Sequence, residues 1–117
     1  MDMNGNTLVE TSIQGHICTN SNKEFVAKWR GNVERSLGSL DLSFCGDQKI
    51  SVELKFWISE KRLVTQRNDL DNLVKPVFDS MKRIGMITDD AEIFHLDVTK
   101  FPTSGEEEIQ MIVKEWT

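Results

Sequence analysis

Residues 50–59 read Ile-Ser-Val-Glu-Leu-Lys-Phe-Trp-Ile-Ser. Ile50, Val52, Leu54, Phe56 and Ile58 alternate with Ser51, Glu53, Lys55, Trp57 and Ser59, the period of two that sends successive side chains to opposite faces of a strand. A strand with one wholly apolar face needs a layer to cover it, and the flanking sequence offers two. Upstream, Phe25, Trp29, Val33 and Leu37 recur every four residues, which predicts a helix from about Asn22 to Leu37, capped by Asn20 or Ser21 and ended by Gly38. Its other face carries Lys23, Lys28, Arg30 and Arg35. Downstream, Leu73, Val77, Phe78, Met81 and Ile84 form a second stripe that stops at Gly85, the residue expected in a left-handed C-terminal cap. Pro76 falls in this second helix. It costs little if the helix cap is Leu73 or later; a cap at Asp71 loses one backbone bond and bends the first turn.

Three further strands complete the pattern. Ser12 to Cys18 places Ile13, Gly15 and Ile17 on one face, and Ile93 to Phe101 does the same for Phe94, Leu96 and Val98. Glu108 to Trp116 alternates Ile109, Met111 and Val113, so the last two strands read as an antiparallel hairpin across the turn Pro102 to Gly105. The expected fold is α+β, in the order β-α-β-α-β-β: two layers, a mixed sheet and helices packed mainly on one face. At 117 residues the chain has the size of one domain, so residues 1–117 are expected to fold as a unit.

Composition narrows the function. With 38% hydrophobic and 28% charged residues, and no apolar run near the roughly 18 residues of a membrane span, the chain reads as soluble. No secretory signal opens it, so the expected compartment is the cytoplasm. Cys18 and Cys45 show no metal-ligand spacing and are expected to be reduced, buried thiols. His16 and His95 are isolated, and both are expected to be ordinary strand residues.

The net charge of -5 argues at first against a nucleic-acid partner, yet it is unevenly spread. Residues 22–67 hold 9 basic and 6 acidic side chains, whereas residues 68–117 hold 5 basic and 11 acidic. Seven of those acids fall between Asp69 and Asp97, a crowding that a cation would relieve. A solvated acidic surface is the plainer alternative.

Asp69 and Asp71, two apart in turn or extended backbone, project to the same side. Lys75 returns to the face of Asp71 one helical turn later, and Asp79 follows by another four. Asp89 and Asp90 sit in the tight connection after Gly85, and a chain reversal there would bring one of them back toward the start of the helix. Oxygen-only ligands suit magnesium or manganese. Each residue also has a structural explanation: Asp69 or Asp71 as a helix cap, Lys75 in a surface ion pair, Asp89 and Asp90 as a turn.

The joint pattern is more specific. Arg67-Asn-Asp-Leu-Asp-Asn-Leu-Val-Lys-Pro-Val-Phe-Asp79, followed by Gly85-Met-Ile-Thr-Asp-Asp-Ala91, closely resembles the core of the RusA-type Holliday junction resolvases over about residues 67 to 102. The resemblance implies that Asp69, Asp71 and Asp90 are the metal-binding and catalytic carboxylates, that Lys75 is the essential lysine, and that the protein is a homodimer. It implies a nuclease using Mg2+, or Mn2+, to nick a four-way DNA junction symmetrically in recombination and repair, with no organic cofactor. Lys61, Arg62, Arg67, Lys82 and Arg83 are, from charge and position, the expected phosphate contacts, while Asp79, Asp89 and Asn72 are supporting candidates. The chain departs from the family in lacking a Pro/Asn-rich basic segment after the first strand, where it has Cys18-Thr-Asn-Ser-Asn. Two alternatives stay open: a nuclease for flaps, forks or other branched DNA, and a non-catalytic DNA- or protein-binding module that keeps a structural cation site.

Overall fold

The structure, a computed structural model, describes residues 6–19, 23–40, 49–64 and 68–116. The helix caps expected at Asn20 and Ser21, the loop at Gly46 and Asp47, Cys45 and Arg67 lie outside these residues. The elements run β1 (Thr7–Gln14), α1 (Lys23–Gly38), β2 (Ile50–Ser59), α2 (Leu70–Arg83), a single 3-10 turn (Asp90–Glu92), β3 (Ile93–Thr103) and β4 (Glu108–Glu115). This is the expected α+β order, with a mixed four-stranded sheet.

β2 is central because its alternation is complete. Ile50, Val52, Leu54, Phe56 and Ile58 are all buried, and they join Val9, Ile13, Ile109, Met111 and Val113 in one core under α1 and α2. The α1 stripe is Val26, Trp29, Val33 and Leu37, with Phe25 left 52% exposed. Strict spacing by four drifts about 40° per step around the axis, so a stripe begun at Phe25 spreads over about 120°; one begun at Val26 spans about 80°. The narrower stripe is the one buried. In α2, Leu73, Pro76, Val77, Ser80 and Met81 face inward. Ser80 allows the helices to approach, and its Oγ donates to Pro76 O at 2.9 Å within α2 and to Arg30 O of α1 at 3.4 Å.

The sheet order is β1-β4-β2-β3, and it corrects the expected hairpin. β4 lies antiparallel between β1 and β2, while β3 pairs parallel with β2 on the other side. Residues 104–107 therefore cross the end of β2, and Glu107 anchors the crossing. Its carboxylate, 8% exposed, accepts from Ile17 N at 3.2 Å and Ser59 N at 2.9 Å, and pairs with the Arg62 guanidinium. β1 is also earlier than expected: it covers Thr7–Gln14 and ends at Gly15. Gly15 has φ 152°, and a Cβ there would press on the side chains of Asn32 and Trp29 of α1, so any larger residue is strained where the chain leaves the strand against that helix.

No helix of the described residues is long and apolar enough to cross a membrane.

Candidate active site

α2 is capped by Asp69, two residues ahead of the nearer cap considered from sequence. Asp69 has extended backbone (φ -75°, ψ 162°), and its carboxylate accepts from Asn72 N at 3.2 Å, closing one of the orphan amides of the first turn. Pro76 is consequently interior, so the carbonyl of Asn72 loses its helical donor; Pro76 offsets part of that cost by being buried. Asp71 lies in the first turn, and Lys75 follows one turn later on the same face. All three side chains are exposed. The partial positive charge of a helix N-terminus stabilises carboxylates at this position, so Asp69 and Asp71 serve the fold and still offer oxygens to a ligand.

What fixes this turn comes from distant parts of the chain. Asn68, 6% exposed, donates from Nδ2 to Arg62 O at 2.6 Å. Lys100 of β3 donates from Nζ to Leu63 O at 2.7 Å and to Asn68 O at 2.8 Å, tying β3 to the turn after β2 and to the residue before Asp69. Sequence reading missed Lys100. The available signal was its parity: it shares a strand face with Phe94, Leu96 and Val98, where a lysine is unusual unless it has inward work.

Asp90 does not join this group within one chain. It stands after α2, in the turn leading into β3, and its carboxylate pairs with Lys82 Nζ at 3.5 Å beside the last turn of α2. The thirteen steps from Asp69 to Lys82 along α2 separate the two ends by about 20 Å. The expected reversal toward the helix start is thus replaced by a turn that goes straight into β3. Met86 N bonds Met81 O at 2.9 Å and Gly85 N bonds Lys82 O at 3.1 Å, with Gly85 at φ 79°; this double cap directs the chain past the C-terminus of α2. Among the described residues no group of three or more His, Cys, Asp or Glu side chains is placed to share a metal ion.

The supporting candidates have local partners. Asp89 caps the 3-10 turn, accepting from Ala91 N at 2.8 Å. Asp79 lies 3.8 Å from Arg30 Nη1. Of the expected phosphate contacts, Arg62 is engaged within the fold by Glu107 and by the carbonyl of Ile17, with its side chain 27% exposed. Lys82 faces Asp90, and Arg83 Nε lies 3.5 Å from Glu34 while the side chain stays largely exposed. Lys61 is exposed in the turn after β2, at the end of the sheet from which the chain proceeds to Asp69. His16 lies 3.9 Å from Glu107, and His95 Nδ1 is 2.9 Å from Ser51 Oγ. Burial pushes the Cys18 thiol pKa up, with Arg62 lowering it and Glu107 raising it to a lesser extent.

A family model, Endodeoxyribonuclease RusA, matches residues 10–113, from β1 to β4. The chain belongs to the RusA family. Its similarity to curated relatives is moderate: the crossover junction endodeoxyribonucleases RusA of Escherichia coli strain K12 and of Shigella sonnei strain Ss046 are 26% identical over 87 residues, or 74% of this chain and 69% of theirs. The RusA match includes both ends of α2 and hence all four residues singled out from sequence, Asp69, Asp71, Lys75 and Asp90.

Proposed function

We propose that the protein is a divalent-metal-dependent endonuclease that resolves four-way DNA junctions by paired, symmetric nicks. The observation that carries the reading is the exposed Asp69-Asp71-Lys75 set on the first turns of α2 in a member of this nuclease family. Hard carboxylate oxygens at a helix start suit Mg2+ or Mn2+, and such an ion would supply Lewis acidity toward a phosphate and a more acidic bound water. Asp69 and Asp71 would hold it, and Lys75 would offset charge on the phosphate backbone. Lys61, exposed in the turn after β2, is an expected phosphate contact, joined by Lys82 and Arg83 from the Asp90 end and by Arg67.

The separation of Asp90 from Asp69 and Asp71 gives the homodimer a chemical purpose. One chain leaves the three-carboxylate set open, and a two-fold substrate is matched by an isologous pair of copies. In this reading Asp90 of one copy completes the set begun by Asp69 and Asp71 of the other.

Mixing variants tests it. Asp71→Asn and Asp90→Asn are each expected to abolish nicking of a synthetic junction while still binding it. Mixed dimers then carry one doubly damaged and one intact site if the sites are shared, and nicking of one strand returns. Sites contained in one chain would all stay dead in the mixture, which would refute the sharing. Lys75→Ala is expected to lose turnover with its melting temperature kept. Manganese binding without any magnesium-dependent nicking by the unaltered chain would favour the non-catalytic module, and equal cleavage of junction, flap and fork would favour a broader branched-DNA nuclease.

A further inference from the structure

α1 and α2 run in the same direction. Arg30 of α1 lies 3.8 Å from Asp79 of α2, and one turn later in both helices Glu34 lies 3.5 Å from Arg83. Followed backward, this register puts Val26 level with Lys75 and Lys23 level with Asn72. The first turns of α1 therefore stand at the same end of the helix layer as Asp69, Asp71 and Lys75. At about 100° per residue, Phe25, Lys28 and Asn32 fall on the flank of α1 opposite to Arg30 and Glu34. There a hollow of about 230 Å³ lies between the helix and the chain leaving β1, lined by His16, Cys18, Phe25, Lys28, Trp29 and Asn32.

The hollow joins an apolar ring to a cation. Phe25 is 52% exposed, Lys28 is exposed, and the exposed charges of these first turns are Lys23 and Lys28 against Glu24. A flat aromatic face edged by positive charge suits a nucleobase and its phosphate, because every base has a face to stack and the ammonium meets the anion. Size points the same way: pockets for drug-sized ligands begin at about 300 Å³, and this one is of a scale for a single ring system. A larger hollow of about 430 Å³, on the face of the sheet away from the helices, is lined by Glu10 and Glu53, whose carboxylates repel a phosphodiester.

We infer that the hollow beside Phe25 receives one base unstacked from the DNA near the cut, laid against the Phe25 ring with its phosphate at Lys28. This deepens the nuclease reading above and rests on it for the polymer. About one helix diameter, roughly 10–12 Å, separates the hollow from the flank of α1 that meets α2. A strand advances about 3.4 Å per nucleotide in duplex and further when unstacked, so the captured base lies a few nucleotides from a phosphate held at Asp69 and Asp71. Unstacking costs least where a duplex is already interrupted. The hollow therefore favours branched DNA over intact duplex without reading a sequence.

Two end-labelled tetramers of equal charge test this without metal and without cleavage: a thymidine tetranucleotide, and the same sugar-phosphate chain carrying no bases. In fluorescence anisotropy the unaltered chain is expected to bind the thymidine tetramer about tenfold tighter, the scale of one base on one aromatic ring. Phe25→Ala is expected to erase that difference, Phe25→Leu to lose most of it although apolar bulk is kept, and Phe25→Trp to retain it. The buried stripe of α1 begins at Val26, so all three are expected to keep their melting temperature. Lys28→Gln is expected to weaken both tetramers alike and to reduce the salt dependence. Equal binding of the two tetramers by the unaltered chain, binding of neither, or a base preference that persists in Phe25→Ala would overturn the inference. Junction nicking without base preference would keep the nuclease and remove this hollow; a base preference that Phe25→Ala erases, in a chain that nicks no DNA, would keep the hollow and remove the nuclease.

Discussion

Replacing Lys100 by methionine keeps the aliphatic stem of the side chain and removes its ammonium. Two backbone carbonyls, Leu63 O at 2.7 Å and Asn68 O at 2.8 Å, lose their donor together. A hydrogen bond to a charged group contributes about 1.5–3 kcal/mol when buried. These bonds are only partly buried, so water recovers part of the loss, and about 2 kcal/mol in total is a fair expectation. If the clamp orders the turn that carries Asp69 and Asp71, that energy reappears as weaker ligand positioning: at 1.4 kcal/mol per factor of ten, about 30-fold. The assay is junction cleavage against metal concentration, with thermal unfolding measured in parallel. Lys100→Met is expected to raise the metal concentration for half-maximal cleavage by roughly 10- to 100-fold and to lower the melting temperature, and Lys100→Arg to recover part of both. Wild-type metal dependence with a lowered melting temperature would show that Lys100 serves only the fold; no change in either would refute the clamp altogether.

Other predictions concern the framework around this turn. Arg62→Ala leaves Glu107, a buried carboxylate, without its cation; the expected loss is about 3 kcal/mol in chemical denaturation, whereas Lys61→Ala is expected to leave stability unchanged and to weaken junction binding with a smaller salt dependence. Equal stability of the two variants would show that Arg62 is not needed to hold Glu107. Gly85→Ala places a Cβ on a left-handed residue at φ 79° and is expected to cost about 1–2 kcal/mol, read as a lower denaturation midpoint with unchanged slope. Because burial raises the Cys18 pKa, folding favours its neutral thiol: that contribution is present at neutral pH and fades as pH rises through the folded-state value. Alkylation of Cys18, followed by peptide mass spectrometry, is expected to be slow at neutral pH until denaturant is added; rapid modification of the folded chain would contradict the burial.

Local pattern was enough for a large part of this protein. Alternation alone identified β2 from Ile50 to Ser59, the Gly85 stop of α2 needed only the glycine and the stripe before it, and spacing alone put Asp71 and Lys75 on one helix face beside Asp69, because caps, strand faces and helix faces are decided by residues within a few positions of one another. Strand order was not local. Ile93–Thr103 and Glu108–Glu115, separated by a short turn, looked like hairpin partners, yet β2 has the more complete apolar face and takes the place between them. The same long-range packing set the pairing of Arg62 with Glu107, 45 residues apart, and the grip of Lys100 on Asn68, 32 residues apart. The cap after α2 kept Asp90 at the far end of that helix from Asp69. Spacing along a chain reports which side chains share a face; which ends of a rigid helix meet another carboxylate depends on how the whole sheet is ordered.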